Sequence, residues 1–169
     1  MDYNVLKTHI LDIQKASKEG NLVIFVGAGV SNNSGVPVWS ELTDTFKKEL
    51  PDFAKKISDD LKLAQIYKTS YPTKFLETVR TVLKDGEIVP NAIHNSILDL
   101  KPCHIITTNY DDLIEQACKG RFELYQKVSS DEDMISIPNT HIIVKMHGEY
   151  NKNNIVLAEQ DYYDYSRNF

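Results

Sequence analysis

Residues 22–26, Leu-Val-Ile-Phe-Val, run without a polar break into Gly27-Ala28-Gly29, and no other stretch restricts the fold as much. An unbroken apolar run rich in β-branched residues reads as a strand covered on both faces of a parallel sheet. Gly27 and Gly29 flank a single methyl group at Ala28, so the backbone can bend tightly after the strand and leave its N–H groups open to a bulky polyanion. Ser31 adds a hydroxyl donor and Gly35 allows a second bend. Pro37 stiffens the exit before Trp39 opens a helix, with Ser40 and Glu41 in its first turn. A strand-to-helix turn with no ligand is the competing reading, because a pair of glycines is weak evidence alone.

Spacing excludes two familiar phosphate-binding loops. A dehydrogenase fingerprint needs a third glycine where Asn32 stands, and the next glycine is Gly35. A nucleoside triphosphatase loop ends in Gly-Lys-Ser/Thr, which occurs nowhere in the chain.

At 169 residues the chain is expected to form one domain over its whole length, 1–169, burying roughly two-thirds of its unfolded surface. Lys and Arg number 19 against 24 acidic residues, a balance of −5 without a basic run, so nucleic acid is not the expected ligand. Cys103 and Cys118 form no Cys-x-x-Cys pair, which argues against zinc and for reduced packing thiols. With no charged-then-apolar leader and no apolar run near membrane-spanning length, the expected location is the cytoplasm, away from membranes.

Residues 2–19 follow helical spacing and stop at Gly20, and helices are expected from Trp39 to Leu50, over 52–70 with Phe53 and Ile57 inward, and from Thr73 to an end at Asp85-Gly86. These form a helical excursion from the sheet. Another helix spans Asn91–Leu98, where His94 reads as a packing or capping residue. Cys103–Thr107 is a second buried strand ending in Thr108-Asn109-Tyr110-Asp111-Asp112, followed by a helix to Cys118. Phe122–Val128 reads as an edge strand, with a helical turn near 131–134 behind it. His141–Met146 is a further strand, ending in His147-Gly148-Glu149. Ile155–Leu157 reads as a short strand and 159–167 as a tyrosine-rich helix. Glu149 is expected to be a solvated loop carboxylate, the alternative being that it orients His147.

Three strand ends thus carry a glycine bend with Ser31, an Asn109-x-Asp111 pair and His147-Gly148. In open α/β sheets ligands bind beyond the carboxyl ends of strands, so parallel neighbours would bring all three into one crevice. There the bend can hold a pyrophosphate, Asn109 can bond ribose hydroxyls or a water, and Asp111 can accept from a carboxamide. His147 can take a proton near neutral pH.

Gly27-Ala28-Gly29-Val30-Ser31, Gly35-Val36-Pro37, Thr108-Asn109-Tyr110-Asp111 and His147-Gly148 together resemble the sirtuin (Sir2) signature set in its usual order. With Ala158-Glu159-Gln160-Asp161-Tyr162 and Tyr165, the chain is most similar to bacterial Sir2-like domains of antiphage defence proteins. The resemblance implies an α/β fold, a Rossmann-like parallel sheet flanked by helices with the excursion at about 41–100. It also implies NAD as substrate: Gly27, Ala28, Gly29 and Ser31 at the phosphates and adjoining ribose, Asn109 on the nicotinamide ribose, Asp111 on the carboxamide and His147 as base. Pro37, Trp39 and Thr108 complete the cofactor-binding set, Trp39 serving as a lid over nicotinamide or as core.

Where deacylating sirtuins carry Pro-Asp-Phe-Arg, this chain has Pro37-Val38-Trp39-Ser40, and it lacks their four-cysteine zinc module. Both departures point to water as nucleophile and to NAD hydrolysis into nicotinamide and ADP-ribose in antiphage defence. A non-catalytic NAD or ADP-ribose sensor and a protein deacylase or ADP-ribosyltransferase are the alternatives. Such domains continue beyond the tyrosine-rich helix, so relative to them this chain is expected to be truncated at its C-terminus. The resemblance also implies further copies, a sensor domain or a partner protein.

Overall fold

The computed structural model describes residues 3–83, 88–135 and 141–165. Four parallel strands, β1 (Val23–Val26), β2 (His104–Thr107), β3 (Tyr125–Val128) and β4 (His141–Lys145), form a sheet in the order β1-β2-β4-β3. The helices are α1 (Tyr3–Lys18), α2 (Ala28–Asn32), α3 (Trp39–Glu49), α4 (Asp60–Ser70), α5 (Pro72–Leu83), α6 (Ala92–Asp99), α7 (Leu113–Cys118), α8 (Asp131–Met134) and α9 (Glu159–Tyr165). The α/β class, the parallel pairing and the helical excursion all agree with the sequence. The stop expected at Asp85-Gly86 and the last residues of the final helix lie outside the described residues.

Alternation along the strands divides the sheet into two unlike faces. Val26, Ile105 and Ile143 are buried beneath Leu98 of α6 and Ile114 and Ala117 of α7. On the other face Phe25 is 62% exposed, and Ile106 and Val144, its neighbours across the sheet, are only half-buried. The expectation that β1 is covered on both faces therefore holds on one face alone among the described residues.

Helices α3, α4 and α5 build a second core. Phe46 and Tyr67 stack with ring centroids 4.3 Å apart, and Phe75 packs 5.8 Å from Phe46. Burial of each such side chain contributes about 2–3 kcal/mol, enough to hold a helical layer that has no sheet of its own. Tyr150, Ile155, Leu157 and Ala158, which follow β4, belong to the same core. They fasten the helical layer to the carboxyl edge of the sheet.

Three local expectations are corrected. Residues 52–70 are not one helix: a 3-10 turn at Ala54–Lys56 comes first. The carboxylate of Asp59 then accepts from the N–H groups of Leu61 and Lys62 and starts α4 afresh. Phe53 is consequently 68% exposed rather than inward. The edge strand begins only at Tyr125, and Phe122 is fully exposed. Ile155–Leu157 forms no strand because its backbone is engaged elsewhere. Val156 N–H donates to His147 O at 3.0 Å and Val156 O accepts from the Tyr110 hydroxyl at 2.7 Å. Leu157 N–H and Ala158 N–H both donate to Asp161 Oδ2.

Candidate active site

Parallel register sets the site. Val26, Thr107 and Lys145 are laterally paired as the last residues of β1, β2 and β4, so the segments that follow them emerge side by side. Together with α3–α5 they enclose a cavity of about 280 Å3. Ala28, Ser31, Pro37, Trp39, Thr108, Asn109, Asp111 and His147 all line it. Val36, Leu42, Leu61 and Leu83 supply an apolar wall, and Tyr110 and Tyr162 flank His147.

Gly27 and Gly29, expected at the phosphates, are not among the residues that line the cavity; of the bend, Ala28 and Ser31 are. Neither glycine has a positive φ, and a methyl group added at either would meet nothing within 4 Å. The fold itself does not require glycine at these positions. What the two glycines provide is open space against exposed backbone, which a guest molecule can occupy.

Asn109 ties this bend to the loop after β2. Thr107 Oγ1 donates to Val26 O at 2.9 Å and accepts from Asn109 N–H at 3.0 Å, which fixes the loop. The Asn109 side-chain amide then donates to Gly27 O at 3.3 Å and to Ser31 Oγ at 3.0 Å. Its oxygen, Oδ1, is buried with no partner among the described residues. A buried acceptor left unpaired costs about 1–3 kcal/mol, a cost relieved when a ligand hydroxyl or water donates to it. Ser31 is 1% exposed; its oxygen serves Asn109, and its O–H remains a donor.

Asp111 is 8% exposed. One carboxylate oxygen accepts from Leu113 N–H at 3.1 Å in the first turn of α7, and the other has no partner among the described residues. The Asp111 main-chain carbonyl accepts from the ammonium of Lys145.

His147 stands in an aromatic box. Tyr162 and Tyr165 meet its ring edge-on with centroids 5.4 and 6.3 Å away, and Tyr110 lies 6.4 Å off. No hydrogen bond engages either ring nitrogen among the described residues. Burial pushes the imidazole below the ordinary histidine value, so it is neutral and able to accept a proton at neutral pH. Gly148 makes the turn beneath it with φ +72°, and a Cβ there would lie 2.1 Å from Asn154 O. Only glycine fits.

Both readings of Glu149 are corrected. It is 3% exposed and does not touch His147. Lys127 Nζ reaches it at 2.5 Å and Ser129 Oγ at 3.1 Å, so it anchors the turn after β4 to β3. His94 is a capping residue: its Nδ1 accepts from Asn91 N–H while Asn91 Oδ1 caps α6. Trp39 is half-buried against the helical core and also lines the cavity. Tyr162, expected to pack or to meet a partner, lines the cavity instead, and Lys145 had no expected role. Their signals were a tyrosine pair spaced for one helix face, Tyr162 and Tyr165, and a lone cation closing an apolar strand.

Among the described residues no three His, Cys, Asp or Glu side chains gather to hold a metal, and no helix is long and apolar enough to cross a membrane.

The family model described as SIR2-like domain matches residues 103–169. The chain carries a SIR2-like domain. The matched part of the SIR2-like domain contains Asn109, Asp111 and His147, while the glycine bend precedes it. Over its whole length the chain is 38% identical to "Defense-associated sirtuin 2" of Bacillus subtilis, of which it spans 18%. It is 33% identical, over 98% of its length, to "NAD(+) hydrolase ThsA" of Enterococcus faecium, spanning 35% of that protein. A solved structure from work on the mechanism and regulation of Sir2 enzymes overlays with a TM-score of 0.40 at 24% identity, covering 64% of this chain and 43% of that one. The chain thus corresponds to between about a fifth and about a third of the length of these two curated relatives.

Proposed function

We propose that this SIR2-like domain hydrolyses the N-glycosidic bond of NAD to release nicotinamide and ADP-ribose. The observation that carries the reading is the meeting of Asn109, whose buried oxygen has no partner among the described residues, Asp111 and a neutral His147 around one cavity beside an open glycine bend. Asn109 Oδ1 accepts from a hydroxyl of the nicotinamide ribose or holds the attacking water. Asp111 accepts from the carboxamide N–H. The bond between ribose C1′ and the ring nitrogen breaks with its electron pair leaving on nicotinamide. Water adds to C1′ and gives its proton to His147. The apolar wall of Val36, Leu42, Leu61 and Leu83 limits stray solvent.

A cavity of about 280 Å3 lies at the small end for ligand sites. That size suits the nicotinamide riboside half, with the pyrophosphate passing over Gly27 and Gly29. The names of the two relatives, one a defense-associated sirtuin and one an NAD(+) hydrolase, support antiphage defence as the setting. On this reading the domain acts as one unit in the cytoplasm, with further copies or a sensor as partner.

Incubating the purified chain with NAD and following nicotinamide by chromatography tests the proposal. Turnover that disappears in both His147→Ala and Asn109→Ala is the expected result. Saturable NAD binding without turnover would instead make the domain a nucleotide sensor, and modification of an acyl-lysine peptide or an acceptor protein would make it a transferase or deacylase.

A further inference from the structure

Lys145 closes β4, and its side chain is completely buried. Its ammonium donates to the main-chain carbonyl of Asp111 and lies 3.3 Å from Glu115 Oε1 on α7. Glu115 Oε2 is buried with no partner among the described residues. Burial pushes the Glu115 carboxyl upward, against the pull of Lys145. A buried ion pair of this kind is seldom more stabilising than well-packed apolar side chains of the same volume. Stability alone therefore gives no reason for a lysine at this point.

Its location does. Lys145 is paired with Thr107 across the sheet, and Met146 N–H donates to Thr107 O at 2.9 Å. Lys145 thus stands at the end of β4, two positions before His147, and grips the Asp111 peptide on the neighbouring loop. Asp111 is held at two points, its carboxylate by Leu113 N–H and its carbonyl by Lys145. Losing the second frees the peptide to rotate and carry the carboxylate with it.

We propose that Lys145 is a positioning residue whose buried ammonium, steadied by Glu115, holds the Asp111 peptide so that the Asp111 carboxylate faces the carboxamide of a bound nicotinamide. The inference rests on the proposed function for its ligand, and neither Lys145 nor Glu115 touches that ligand. It goes beyond the signature residues, since it assigns the register between the Asp111 and His147 loops to a side chain outside the cavity's chemistry.

The test compares wild type with Lys145→Met and with Lys145→Met/Glu115→Leu, which removes both charges at similar volume and guards against a variant that fails to fold. Calorimetric titrations use ADP-ribose and a carbocyclic NAD analogue that cannot be hydrolysed, so that only the second reports the nicotinamide half. The double variant should unfold near the wild-type temperature and bind ADP-ribose as wild type does, while its affinity for the analogue falls about tenfold. Its kcat for nicotinamide release should fall on the order of 100-fold, the cost of a misplaced binding group. Wild-type analogue affinity and turnover in the double variant would overturn the proposal, as would equal losses for both ligands. If wild type binds the analogue but releases no nicotinamide from NAD, the hydrolase reading fails while the ratio of the two affinities still decides the role of Lys145. If wild type binds neither ligand, both readings fall.

Discussion

The side-chain amide of Asn109 reaches Ser31 Oγ at 3.0 Å, across 78 residues of chain, so the loop after β2 and the bend after β1 act as one piece. The amide donates into the protein and the oxygen has no partner among the described residues, which gives the two ends of this side chain separate duties. Asn109→Ala removes both. It should lower nicotinamide release by about 100-fold or more, the range seen when a preorganised polar contact is lost, with a modest fall in melting temperature. Asn109→Asp should be less stable than Asn109→Ala, because a carboxylate set against Gly27 O would be buried facing an acceptor. Thermal unfolding of the two variants side by side checks the order.

Gly27 and Gly29 make a contrasting pair with Gly148. A methyl group at either of the first two meets nothing within 4 Å, whereas at Gly148 it would lie 2.1 Å from Asn154 O in a backbone with φ +72°. Gly27→Ala should therefore fold as wild type and lose NAD affinity, by about tenfold if one backbone contact to phosphate is blocked. Gly148→Ala should be destabilised strongly, because both the clash and the left-handed backbone oppose it. A calorimetric titration and a melting curve on each variant separate the ligand glycines from the structural one.

Much of this arrangement was legible in the chain because local signals and global topology agree. Apolar runs ending in Gly27, Thr108 and His147 identify three strand ends, and parallel pairing brings any such ends to one edge. What stayed hidden depends on partners remote in sequence. Glu149 reads as a loop carboxylate until Lys127 and Ser129, both from the β3 segment, are placed beside it. The Ile155–Leu157 segment has the residues of a strand, but Tyr110 and Asp161 take its backbone groups first. Half-exposure of β1 was invisible because an apolar run does not tell how many of its faces other segments reach.

Glu149 yields a stability prediction separate from the chemistry. Its carboxylate is buried against Lys127 and Ser129, and its N–H donates to Asn154 Oδ1 at 3.0 Å. Glu149→Ala leaves the Ser129 hydroxyl without this acceptor and strips the Lys127 ammonium of its partner. Because Lys127 can turn toward solvent, the loss should fall near the lower end for a broken buried pair, about 2–3 kcal/mol by denaturant titration. At a temperature where the variant is still folded, kcat should change far less than it does in His147→Ala, since Glu149 supports the turn and does not reach the imidazole.

Protonation of His147 links activity and stability to pH in the same direction. Burial holds its folded pKa below the ordinary value of 6.5, and the same cause lowers His94. Between the folded and unfolded values the unfolded chain binds more protons, so stability rises with pH through this window and is lost as pH falls below about 6.5. The base form of His147 persists to lower pH than that of a free imidazole. Nicotinamide release should thus be level through neutral pH and decline on the acid side with an apparent pKa under 6.5. His94→Gln should remove part of the pH dependence of melting while leaving the activity limb in place, because His94 caps α6 and does not line the cavity. His147→Gln should abolish turnover and likewise reduce the slope of melting against pH. An activity limb centred above 6.5 would show that the imidazole gains a charged partner when substrate binds, and would require its environment to be redrawn.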